Sequence, residues 1–138
     1  MHLTQTEASL VRQSLSEAVD RMDPRDLVFY EAFFRRVPEA RALFRDDIAG
    51  QEMRFMTTLK VIVDNIGQEE ALKPRYADLG REHALIGVKA EHFAPMGEAL
   101  IETLRHVLGA AFTDDAENAW RKLYAQVSAH VIQKAGLA

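Results

Sequence analysis

Cysteine is absent from the 138 residues, which excludes disulfides, thiolate metal ligands and a cysteine nucleophile together. Proline and glycine are scarce, at four and seven, and they stand between apolar-periodic segments, a distribution that favours helices over a turn-rich β fold. No apolar run approaches the roughly 20 residues that span a bilayer. The polar stretch Met1 to Glu7 carries no apolar core of a secretory signal. Basic runs are missing too. With 17 basic against 21 acidic residues the net charge is −4, so neither nucleic acid nor a membrane is an expected partner. The expected location is the cytoplasm, with which the lack of cysteine agrees.

What is present suits a globular domain. Hydrophobic residues make up 48% and charged residues 28%, and the length fits a single domain, 1–138, with one core. Thr4 followed by Glu7 reads as a capping box, opening a helix to about Arg21 with Leu10, Leu15 and Val19 among its apolar positions. Asp23 then Pro24 reads as an N-cap followed by proline at the first helical position, and the second helix runs to about Arg36. Pro38 starts a short turn ending near Phe44, and residues 45–50 read as a connector. A further helix spans Gln51 to Ile66 with Gly67 as its C-cap. Pro74 stands early in the next, which ends near Gly87. Another runs from about His92 to Gly109. Thr113 and Asp114 cap the last, with Asp114 and Glu117 spaced as a capping box. No strand-period segment and no internal repeat stands out, so the expected fold is all-α, with six or seven amphipathic helices that need one another to bury their apolar faces.

Three polar residues fall on apolar stripes. Tyr76, Leu79, His83 and Ile86 follow the 3-4-3 spacing of one helix face, which turns His83 inward. A buried neutral imidazole takes either a hydrogen-bond partner, such as a backbone carbonyl, or a metal. Gln51 shares a face with Phe55, Thr58, Leu59 and Ile62, and either turns into water at the helix end or aims an amide into a pocket. Tyr30 shares a face with Leu27 and Phe34, and is either a core tyrosine satisfied at its margin or an O–H donor inside an apolar cavity. One arrangement accounts for all three: a metal cofactor between helices, with an imidazole on one side and donors opposite. There is no His and carboxylate cluster at zinc or di-iron spacing. A single protein ligand suits a metal already held by a macrocycle, which describes haem.

The chain resembles the globins, above all the bacterial single-domain globins and the haem domain of flavohaemoglobins. The resemblance rests on Phe29-Tyr30-Glu31-Ala32-Phe33-Phe34, Pro38 to Phe44, Leu79-Gly80-Arg81-Glu82-His83, and Asp114 to Tyr124 with its Ala119-Trp120. It implies a globin-like fold of six to eight helices around a pocket for haem b, with His83 as the iron ligand and Tyr30 and Gln51 as the distal pair. It further implies that Phe44 packs on the haem face, that Phe55 lies over the distal side, and that Leu79, Val88, Phe93 and Met96 line the proximal side and haem edge. Arg54 and His92 stand where a haem propionate could be met. Two departures are expected to matter. Phe93 and Ala135 replace the tyrosine and glutamate that support the proximal histidine in flavohaemoglobins, so the extra electron push on iron should be missing. No flavin or nicotinamide domain is expected.

The implied function is reversible binding of oxygen, or of nitric oxide or carbon monoxide, at a five-coordinate iron. Tyr30 and Gln51 would steady the bound gas in a pocket kept dry by Phe33, Phe44 and Phe55. The alternatives are a nitric oxide dioxygenase served by a separate reductase, a haem-based gas sensor, and a haem-free helical bundle that binds a partner protein. Either a monomer or a homodimer fits. His106 and His130 are expected at the surface.

Overall fold

The computed structural model describes residues 3–23, 28–43, 48–85 and 89–135, with the side chains of 48–53, 69, 82–85 and 135 outside that description. All regular elements among the described residues are helical. They are α1 (Gln5–Arg21), α2 (Val28–Arg36), α3 (Ile48–Asp64), α4 (Glu69–Leu85), α5 (Phe93–Leu108) and α6 (Asp114–Ala135), with short 3₁₀ turns at Pro38–Leu43, Ala90–His92 and Gly109–Ala111. The all-α architecture expected from the sequence is the one found. No helix among the described residues is long and apolar enough to cross a membrane.

Local chemistry sets most of the helix ends. The capping box at α1 forms as expected: the Glu7 N–H donates to Thr4 Oγ1 at 3.1 Å and the Thr4 N–H to Glu7 Oε1 at 2.8 Å. Glu7 also accepts from Lys122 Nζ at 2.9 Å, tying α1 to α6. Gly67 takes φ +90° after α3 unwinds through 65–67, and Gly109 takes φ +55° beyond α5. Both are left-handed positions that suit glycine.

Three expectations shift. The helix α3 begins at Ile48, inside the stretch read as a connector. Val19, read among the apolar positions of α1, is 44% exposed. The face that packs is Ala8, Val11, Ser14, Leu15 and Ala18, since small alanines permit close approach and the neighbouring register points Val19 outward. At α6, Thr113 rather than Asp114 caps the helix, its Oγ1 accepting from the Ala116 N–H at 3.1 Å. Asp114 is already the first residue of α6, so it cannot form a capping box with Glu117, whose carboxylate accepts from Arg105 and Arg121 instead. Pro74 is the sixth residue of α4, and its missing N–H removes the bond that would reach back to the carbonyl of Glu70. The expected cap at Asp23–Pro24 lies partly outside the described residues.

Packing places α5 at the centre. It contacts α2, α1 and α6, while α4 lies along α6. Leu100, Leu104, Phe29, Phe33, Val11, Val63 and Trp120 are almost fully enclosed. Trp120 donates its indole N–H to Ser14 Oγ at 2.7 Å, and Ser14 in turn donates to the Leu10 carbonyl at 2.6 Å, so the one polar atom of the buried indole is satisfied. The outer faces of α2, α5 and α6 carry a ladder of ion pairs. Glu102 accepts from Arg35 and Arg36, and Arg121 bridges Glu98 and Glu117.

Candidate functional site

Between α2 and α3 on one side and α4, α5 and α6 on the other lies a cavity of about 490 Å³, within the size range of cofactor pockets. α2 brings Phe29 and Tyr30, and α3 brings Arg54, Phe55, Thr58, Leu59 and Ile62. Those α3 positions recur at three and four residues, so one face of the helix is the wall. The Phe29 and Phe55 rings stack with centroids 4.2 Å apart and 11° between planes, fastening α2 to α3 at the cavity edge. From the other side come Leu79 of α4, Phe93, Met96 and Leu100 of α5, and a long stripe of α6 that includes Trp120, Leu123, Tyr124, Val127 and Val131.

Tyr30, Arg54, Phe55, Leu79, Phe93 and Met96, named from the sequence, all line this one cavity. Tyr30 is buried at 6% exposure beside the Phe29 ring, while Arg54 is exposed at the rim. His92 is placed differently. Its Nδ1 accepts the Lys89 N–H at 3.0 Å, closing the turn before α5, and it does not line the cavity. Phe33 is fully enclosed in the core rather than at the wall. His83 and Gln51 stand in α4 and α3 by their backbone, His83 one helical turn beyond Leu79, but their side chains lie outside the described residues, as do Phe44 and Val88 entirely. His106 and His130 are exposed, as expected.

The α6 wall went unread in the sequence, although Trp120, Leu123, Tyr124, Val127 and Val131 carry the 3-1-3-4 spacing that marks an inward stripe. Tyr124 is its most constrained member. Its hydroxyl donates to the Phe93 carbonyl at 2.6 Å, and burial pushes its phenol well above the ordinary tyrosine range, so it stays protonated as a donor. Its ring packs against Gly97, where a Cβ would sit 2.7 Å from Cε2.

A cavity this apolar suits a flat, greasy group better than a bare ion. Among the described residues no three His, Cys, Asp or Glu gather that could hold a metal alone. A metal placed here needs a carrier that fills most of its coordination sphere and buries its own apolar surface against the aromatic walls. The residues present fit haem on those terms.

Comparison with known proteins agrees. Residues 27–131 match the model of the Globin family. Neuroglobin of Dissostichus mawsoni is 28% identical over 95% of this chain and 91% of its own length. The flavohemoprotein of Bordetella parapertussis is 31% identical over 72% of this chain, which covers only 26% of that longer protein. Among solved structures, a hexacoordinated heme protein of an anhydrobiotic tardigrade superposes with a TM-score of 0.86 at 15% identity, over 97% of this chain and 96% of its own, a likeness of fold alone. An engineered carbene transferase of Rhodothermus marinus, made from a protein provisionally assigned as a nitric oxide dioxygenase, superposes with a TM-score of 0.85 at 25% identity, over 97% of this chain and 94% of its own.

Proposed function

The chain belongs to the globin family, whose members bind haem and diatomic gases, and from that premise we propose that it holds haem b in the aromatic cavity, takes His83 as the iron ligand and binds oxygen reversibly. When bound, haem supplies an iron with one position open to a small gas. The observation that carries this reading is the cavity itself: six of the residues expected at a haem line one apolar space, and the α4 backbone carries His83 one turn past its wall residue Leu79.

Each residue then has a definite task. Tyr30 offers an O–H donor in surroundings that exclude water, where low dielectric strengthens a hydrogen bond to a polar gas. Gln51 is the second donor. Leu79, Phe93 and Met96 on the α4 and α5 side, and Phe55 on the α3 side, hold the macrocycle by burial, joined by Phe44 and Val88. Arg54, exposed at the rim, pairs with a haem carboxylate. His92 is left out of this set, because its imidazole is engaged in the turn before α5 and stands apart from the cavity.

The proximal side favours binding over redox turnover. Phe93 can offer no hydroxyl to a ligand imidazole, and the Tyr124 hydroxyl is committed to the Phe93 carbonyl. An imidazole that lacks a hydrogen-bonded anion is a weaker electron donor. A nitric oxide dioxygenase served by a separate reductase is the second reading, favoured by the likeness to a flavohemoprotein and to the Rhodothermus protein. Turnover of nitric oxide with excess reductant and an added reductase separates the two, and absence of catalytic loss leaves the carrier.

The deciding experiment is an absorbance spectrum after haem addition, beside a His83→Ala variant. A Soret band in the parent chain and a changed or missing one in the variant are expected. No Soret band in the parent, or identical spectra in both, overturns the reading.

A further inference from the structure

Beside the aromatic cavity lies a second hollow of about 700 Å³, formed where the end of α3 meets the first half of α4 and the middle and end of α6, with Leu3 ahead of α1 also at its wall. Its two sides differ in chemistry. Ile62, Leu72, Leu123 and Val127 form an apolar inner wall, while Lys73 and Lys134, with His130, stand at the outer side. The Tyr76 and His130 rings stack with centroids 5.3 Å apart and only 3° between planes, making a flat flank between the two regions. No acidic side chain among the described lining residues faces this hollow, although the chain has 21 acidic residues against 17 basic ones. Lys73 does pair with Glu70 at 2.8 Å, but that pair is exposed, at 58% and 87%, and such pairs exchange partners at little cost.

We propose that this hollow binds a linear alkyl carboxylate. The tail lies on the apolar wall, where taking each methylene out of water favours binding, and the carboxylate meets the lysine rim. A cationic amphiphile would be repelled there, and a neutral one would gain no charge attraction from the lysine rim. The hollow's volume is within the range that takes one small molecule. Ile62, Leu123 and Val127 also line the aromatic cavity, so the two spaces share a partition one side chain thick.

Calorimetric titration of the haem-loaded protein with decanoate tests this. Saturable one-to-one binding is expected, weakened about tenfold by Lys134→Glu and by Lys73→Glu, both exposed positions whose reversal leaves the core intact. 1-Decanol and decyltrimethylammonium should bind about tenfold more weakly than decanoate. Absence of saturable binding, equal affinity for decanol, or indifference to both lysine reversals overturns the proposal. The same titration on haem-free chain keeps the test separate from the haem reading: binding that is lost on haem addition and ignores the lysines belongs to the aromatic cavity and also overturns it.

Discussion

The Tyr124 ring is held from two directions, by its hydroxyl on the Phe93 carbonyl at 2.6 Å and by the bare backbone of Gly97 beneath it. A methyl group at position 97 would lie 2.7 Å and 2.8 Å from two ring carbons, closer than packed atoms tolerate. Because the hydroxyl anchors the far end, the ring cannot tip away without losing its hydrogen bond. Gly97→Ala is therefore expected to destabilise the fold by about 1–3 kcal/mol, less the helix-propensity gain of alanine, read from denaturant unfolding. Adding Tyr124→Leu should recover part of the loss. Unchanged or raised stability in the single variant would show that the ring yields freely.

Removing the Ser14 hydroxyl strands the indole N–H of Trp120, a side chain with no solvent exposure. Ser14→Ala should lower unfolding free energy by about 1–3 kcal/mol. In a Trp120→Phe background the same change should have a much smaller effect, since no donor is left to strand. Equal effects in the two backgrounds would place the loss elsewhere than in this bond.

Tyr30→Phe deletes only the O–H inside the aromatic cavity. If that group reaches bound oxygen, its loss amounts to about 1.5–3 kcal/mol, equivalent to roughly a ten- to hundredfold faster oxygen dissociation. Flash photolysis or stopped-flow mixing of the haem-loaded chain reads this directly. An unaltered rate would remove Tyr30 from the distal side.

Acid should loosen the ion ladder. Hydrogen bonds from Arg121 hold the Glu98 carboxyl below its usual range, and those from Arg35 and Arg36 do the same for Glu102. A carboxylate with a lowered folded-state pKa adds stability above its unfolded value, and that stability is lost as pH falls through the folded value. Thermal midpoints should thus decline below about pH 4.5, the ordinary value of these groups. Glu102→Gln should flatten the decline, modestly, because these groups are partly exposed. Parallel pH profiles for parent and variant would count against this assignment.

Much of the architecture was legible because helix ends are written in short-range chemistry. Thr4 with Glu7, and Gly67 after α3, specify their own geometry within a few residues. The α3 wall was legible for a related reason, since Phe55, Thr58, Leu59 and Ile62 repeat at the helical period. Failures came where partners are distant in sequence. Asp114 looked like a cap because Glu117 follows at the right interval, yet Glu117 is claimed by Arg105 and Arg121. Ser14 gave no sign of its bond to Trp120, 106 residues away. His92 stands next to Phe93, which does line the cavity, yet its imidazole closes the turn at Lys89 instead. On a helix, residues one apart point about 100° away from each other.

Ile62, Leu123 and Val127 each present a surface to both hollows. A substitution that widens one chamber necessarily trims or reshapes the other, so the two cannot be tuned independently through these three positions. Anyone redesigning the aromatic cavity by enlarging or shrinking them alters a neighbouring room at the same stroke. Changes confined to Phe55 or Met96, which border only the first, avoid that entanglement.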